Sequence, residues 1–75
     1  MTKDEFFKKI KDVIQAKIEL TADTNLLDLE EWDSLSKVLT TAFLDKEFGI
    51  KVTNKEVQDF DTIRDIMIKA GVQND

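Results

Sequence analysis

From Phe6 to Ile18 the apolar side chains Phe6, Phe7, Ile10, Val13, Ile14 and Ile18 recur every three or four residues, while Lys8, Lys9, Lys11 and Asp12 fill the other face. That spacing belongs to a helix with one buried side. Thr2 followed by Glu5 supplies a capping box at its start, so a first helix is expected from about Thr2 to Lys17. No segment has the sustained alternation of a strand, and Ile50-Lys51-Val52 is too short to form a useful one. The chain is therefore confined to an all-α fold.

The remaining elements follow from their boundary signals. A second helix is expected from Asp33 or Ser34 to Glu47 or Phe48, with Gly49 as a left-handed stop. Thr53 and Glu56 form another capping box, opening a short helix that reaches about Gln58. Asp61 or Thr62 caps a final helix whose buried stripe is Ile63, Ile66, Met67 and Ala70, closed by Gly71. The tail Gln73-Asn74-Asp75 is expected to fray. Residues 19–33 show no period, and we read them as a long ordered loop held to the core by Leu20, Leu26, Leu27 and Leu29. The expected architecture is a small bundle of three longer helices and one short helix, forming a single domain over residues 1–75.

With 75 residues, such a domain buries only about 60% of its unfolded surface, so its stability margin is small. The chain lacks Cys, His and Tyr. It therefore has no thiolate nucleophile, no thiolate metal site and no side chain with an unperturbed pKa suited to base catalysis near pH 7. Two glycines 22 positions apart cannot form a phosphate-cradling loop. The opening MTKDEFFKKI has no apolar signal core, and no run is long enough to span a membrane. A soluble, cytoplasmic, non-catalytic protein is expected, without membrane insertion.

The formal net charge of −5 argues against nucleic acid as a partner. Residues 1–20 carry net +1 and residues 35–75 net −1. Residues 21–34 hold Asp23, Asp28, Glu30, Glu31 and Asp33 with no basic group. The whole net charge thus accumulates in the segment leading to Ser34. Calcium binding by these acids is not expected, since their spacing lacks the Gly and bidentate Glu of a helix–loop–helix calcium site.

Ser34, in the stretch LEEWDSLSKV, has two readings. Ser and Asp are both good N-caps, and a helix start needs one. Alternatively, a hydroxyl at a helix N-terminus is exposed, and a phosphate esterified there meets unpaired amides and the positive end of the dipole. No His or Lys adjoins it in sequence, so this serine would be the substrate of another enzyme. Both roles, cap and cargo site, are assigned to Ser34. Trp32 is read as either the anchor of the loop or part of a recognition surface.

Asp33-Ser34-Leu35 resembles the D-S-L attachment motif of acyl carrier proteins, and the resemblance spans nearly the whole chain. Phe48, the following I-K-V-T and the Thr62-Ile63 helix start fall at the family's distances after the serine. The resemblance implies 4′-phosphopantetheine, taken from coenzyme A and attached to Ser34, carrying acyl groups as thioesters. Implied partners are a phosphopantetheinyl transferase and acyl-activating or acyl-transferring enzymes and synthases. A monomer is expected.

The chain departs from the best-known fatty-acid carriers in two ways. Glu31 stands where they often have glycine, and the second helix is nearly neutral, with Leu39 where many relatives have Glu. A docking face is expected from Glu30, Glu31, Trp32, Ser36, Lys37, Val38, Leu39 and Ala42, more apolar and less salt-sensitive than an acid-rich one. Thr40, Thr41, Phe43, Leu44 and Phe48 compete with Val38 and Leu39 for the inward direction. A specialised carrier of a secondary-metabolite, lipid or glycan-modifying pathway is expected rather than a housekeeping one. Phe43, Leu44, Val52, Val57, Phe60 and Ile63 are candidates to line an acyl cavity, and the aromatic residues point to short or polar cargo. An aminoacyl, D-alanyl or peptidyl carrier remains an alternative, as does an unmodified helical module that binds a basic protein.

Overall fold

The Thr2 hydroxyl accepts a hydrogen bond from the Glu5 backbone N–H, and the Glu5 carboxylate accepts one from the Thr2 N–H. This reciprocal cap opens α1, Lys3–Ile14, in the computed structural model, which describes residues 1–72. The chain continues through a 3₁₀ turn at Leu26–Asp28 to α2 (Ser34–Phe48), α3 (Asn54–Gln58) and α4 (Ile63–Ala70). No strand forms among the described residues, so the all-α expectation holds. The tail expected to fray, Gln73-Asn74-Asp75, lies outside them.

One core joins the helices. α1 contributes Phe6, Ile10 and Ile14, α2 contributes Phe43 and Leu44, and α4 contributes Ile63, Ile66, Met67 and Ala70. α2 packs against both α1 and α3. Phe6 lies within 6.3 Å, centroid to centroid, of Phe7, Phe43 and Phe48, which ties α1 to α2 through tilted and edge-on rings. α3 opens with the expected cap, the Glu56 N–H donating to the Thr53 hydroxyl at 3.1 Å. α2 and α4 end on Gly49 and Gly71, both at positive φ, where the absent Cβ makes the left-handed turn inexpensive.

Two sequence expectations are corrected. α1 stops at Ile14, three residues short of Lys17, because Gln15 turns into the left-handed region at φ 61°. The Ala16 N–H then donates back to the Lys11 carbonyl at 3.1 Å, closing the helix end. Ile18 consequently leaves the buried stripe and is exposed, while Ala16 and Leu20 turn inward. In the loop, Leu20, Leu26 and Leu29 are buried as expected, but Leu27 projects outward because the 3₁₀ turn points it away from the core.

The loop is also sewn to the start of α4. The Leu26 N–H donates to the Asp61 carbonyl at 2.8 Å, and the Ile63 and Arg64 N–H groups donate to Thr24 and Ala22. Arg64 reaches Asp23 at 2.7 Å. A loop whose backbone groups are satisfied in this way forms a fixed approach to α2.

Thr40 is the unusual core residue. It is fully buried on α2, and its hydroxyl has no hydrogen-bond partner among the described residues. A buried unsatisfied hydroxyl costs about 1–3 kcal/mol. Thr40→Val is therefore expected to stabilise the fold by about 1 kcal/mol, seen as a higher urea midpoint at unchanged slope.

Candidate functional site

The site is built at the junction between the acidic loop and α2. The cap of α2 is Asp33, whose carboxylate accepts the Ser36 N–H at 2.9 Å. Ser34 is the first residue inside the helix, and it is exposed. The cap role assigned to Ser34 is thereby corrected: of two adjacent residues able to cap, Asp33 holds the extended backbone conformation that a cap requires. Of the amides expected to stand open around Ser34, that of Ser36 is already taken by the Asp33 carboxylate.

The Ser36 N–H holds the Asp33 carboxyl below its ordinary value near 3.8, assisted by the Ser36 hydroxyl and by the Asp33 and Leu35 amides. Glu5 is lowered by the Thr2 backbone, Glu19 by Lys11, and Glu56 by Lys69 and Thr53. A carboxyl with a folded-state pKa below its unfolded one contributes stability above the unfolded value. That contribution is lost as pH falls through the folded value. The melting temperature is expected to be level above about pH 5 and to fall below about pH 4. In Asp33→Asn, which keeps a good cap without a titrating group, the acid loss should be smaller. Circular-dichroism melts from pH 7 to pH 2.5 check both.

The chain contains two serines, Ser34 and Ser36, with opposite surroundings. Ser36 is buried, and its hydroxyl donates to the Glu31 carbonyl, with the Ile14 carbonyl a further acceptor at 3.5 Å. Its expected place on the docking face is corrected: it clamps the loop and the end of α1 to the start of α2. Trp32 is also buried, and its backbone N–H donates to the Leu29 carbonyl at 3.1 Å. It anchors the loop rather than presenting a free docking surface. Glu31 is half-buried and accepts the Lys17 backbone N–H at 3.1 Å, which helps to close the loop, whereas Glu30 is exposed.

Of the other expected docking residues, Val38 and Leu39 are 62% and 40% exposed and Ala42 is exposed as well, and Leu35 of the attachment motif is 66% exposed beside them. Thr40, Phe43 and Leu44 take the inward side, which settles the ambiguity of a helix apolar on both faces. Lys37 is half-buried, with its ammonium 5.9 Å from the centre of the Trp32 ring, within cation–π range.

Beside Ser34 runs a groove of about 170 Å³ between α2 and α3, lined by Ser34, Lys37, Val38, Thr41, Asn54, Val57 and Gln58. Its α2 wall is the i, i+3, i+4, i+7 stripe counted from Ser34, and its α3 wall is the i, i+3, i+4 stripe from Asn54. Thr41, expected to compete for the core side, and Asn54 and Gln58 are site residues that the sequence reading did not place here, although helical counting from Ser34 and from the Thr53 cap reaches them. Of the six acyl-cavity candidates, only Val57 lines this groove. Phe43, Leu44, Val52, Phe60 and Ile63 are packed into the core.

Comparison with known proteins adds to this geometry. A family model described as a phosphopantetheine attachment site matches residues 5–67. An acyl carrier protein of Petrotoga mobilis is 34% identical, the match covering 84% of this chain and 80% of that protein. An acyl carrier protein of Treponema denticola is 34% identical, covering 83% and 86% respectively. One of Thermotoga maritima is 30% identical, covering 88% of each. No solved structure gives a significant match.

Proposed function

This chain belongs to the acyl carrier family, which bears a phosphopantetheine attachment site, and from that premise we propose that Ser34 is the attachment point and that residues 1–75 form one carrier domain. A member of this family is a non-catalytic carrier whose prosthetic group is covalent 4′-phosphopantetheine. That group, when attached, supplies a terminal thiol on which acyl groups are held as thioesters.

The observation that carries the reading is the exposed hydroxyl of Ser34 at the head of the groove between α2 and α3. The groove fits an amide-bearing arm. The side-chain amides of Asn54 and Gln58 can donate and accept along it, while Val38 and Val57 cover its methylene and methyl parts. Asp33 fixes the start of the helix and so the direction in which Ser34 points. It is a poor base, because its pKa is lowered and its carboxylate is held by the Ser36 N–H. The Ser34 proton must therefore be removed by the modifying transferase.

Partners are the transferase and enzymes that load, process or unload the acyl group. They would approach over Leu35, Val38, Leu39 and Ala42, with Glu30 beside them. This exposed α2 face has few charges, which supports a specialised carrier with docking less dependent on salt than that of acid-rich relatives. Support of ordinary fatty-acid elongation by a housekeeping synthase, at the rate of an acid-rich carrier, would contradict that assignment.

Thioester loading tests the carrier reading. The modified protein, incubated with an acyl-activating enzyme, ATP and a panel of carboxylic acids, is expected to gain an acyl mass that neutral hydroxylamine removes. Failure of the modified chain to hold any hydroxylamine-labile acyl group would overturn it.

A further inference from the structure

An anion on Ser34 would enter a place already rich in negative charge. The Asp33 carboxylate takes the Ser36 N–H, so a negative charge already stands at the head of α2 and answers part of its dipole. Glu30 and Glu31 stand just upstream. A phosphodiester stays ionised across the physiological pH range, and like charges at close range repel unless a cation lies among them.

Lys37 meets that need. It lies three residues after Ser34, one turn along the same helical face, and it is the one charged side chain lining the Ser34 groove. Among the described residues it enters none of the ion pairs. Its ammonium instead rests over the Trp32 ring, a contact weak enough at an accessible site to exchange for a better partner. Lys17 lines the neighbouring groove with Glu31 and Asp33 and does not line the Ser34 groove.

We infer that Lys37 is a positioning residue for the phosphodiester on Ser34, resting on Trp32 in the unmodified chain and moving to the phosphate once the arm is attached. The inference rests on Ser34 being the attachment point. It also gives Trp32 a second role, as the platform that keeps an unpaired cation beside the groove.

The test uses the full chain before and after treatment with coenzyme A, Mg²⁺ and a phosphopantetheinyl transferase, with intact mass recorded first. Protons above an indole face resonate upfield. In the unmodified protein the Lys37 Hε signals are therefore expected upfield of those of the other lysines, and they should return to the ordinary range after modification. Lys37→Met is expected to lower the melting temperature of the modified protein at low salt by more than that of the unmodified one, which loses only the contact with Trp32. Lys37→Arg should restore the modified protein, and 0.5 M salt should shrink the difference. Absence of mass gain would overturn both this inference and the assignment of Ser34. Mass gain with Lys37 Hε unmoved, or with equal melting shifts in all three proteins, would overturn this inference alone.

Discussion

Ser34→Ala abolishes phosphopantetheine addition and leaves the fold standing: neither part of this expected result follows from the other. The first part follows from exposure, since the only other serine, Ser36, has its hydroxyl buried and bonded to the Glu31 carbonyl. The second follows from the identity of the cap. If Ser34 capped α2, its loss would cost about 1 kcal/mol, but Asp33 does the capping. Ser34→Ala removes an exposed hydroxyl from the first helical position, and the stability change should stay within about 0.5 kcal/mol. Asp33→Ala should cost about 0.5–2 kcal/mol. Intact mass after transferase treatment reads the first effect, and urea unfolding of the two variants reads the second. A Ser34→Ala protein that still gains the prosthetic group, or that loses as much stability as Asp33→Ala, would show that the site is misassigned.

Phe6→Ala is expected to produce the largest loss of stability. Phe6 is fully buried, and its ring meets Phe7, Phe43 and Phe48, so the substitution leaves a cavity where α1 packs on α2. Truncating a buried Phe costs about 3–5 kcal/mol. A core of this size seldom supplies more than about 3–5 kcal/mol of net stability, so the variant should be largely unfolded at 25 °C. Leu27→Ala is the contrasting case. Leu27 is also a large apolar residue, but it is 71% exposed, and its replacement should change stability by less than about 0.5 kcal/mol. Far-ultraviolet circular dichroism and urea melts distinguish them; equal effects at the two positions would contradict the packing described.

Much of this was legible in the sequence because the helix signals are local. Thr2 with Glu5 and Thr53 with Glu56 place caps that the structure reproduces, and Gly49 and Gly71 stop α2 and α4 where left-handed backbone is needed. The errors arise where distant groups decide. The apolar period runs on to Ile18, yet Gln15 turns the chain earlier, and the end of α1 is held against α2 by Ser36, 22 residues beyond Ile14. Asp33 and Ser34 have similar capping ability, and only the register of α2 separates them. α2 is apolar on two faces, so the outward direction of Val38 and Leu39 depended on Phe43 and Leu44 meeting α1 and the core. The Ser34 groove was readable in principle from helical spacing, but the position of α3 opposite α2 was not.

Site-resolved mapping of the modified protein tests the central claim most directly. After treatment with coenzyme A, Mg²⁺ and a broad-specificity phosphopantetheinyl transferase, the wild-type chain is digested and the fragment spanning Trp32–Val38 is sequenced by tandem mass spectrometry. The expected result is one phosphopantetheine per chain, carried by Ser34 and absent from Ser36. An unmodified chain, or a prosthetic group on Ser36 or any threonine, would contradict the account.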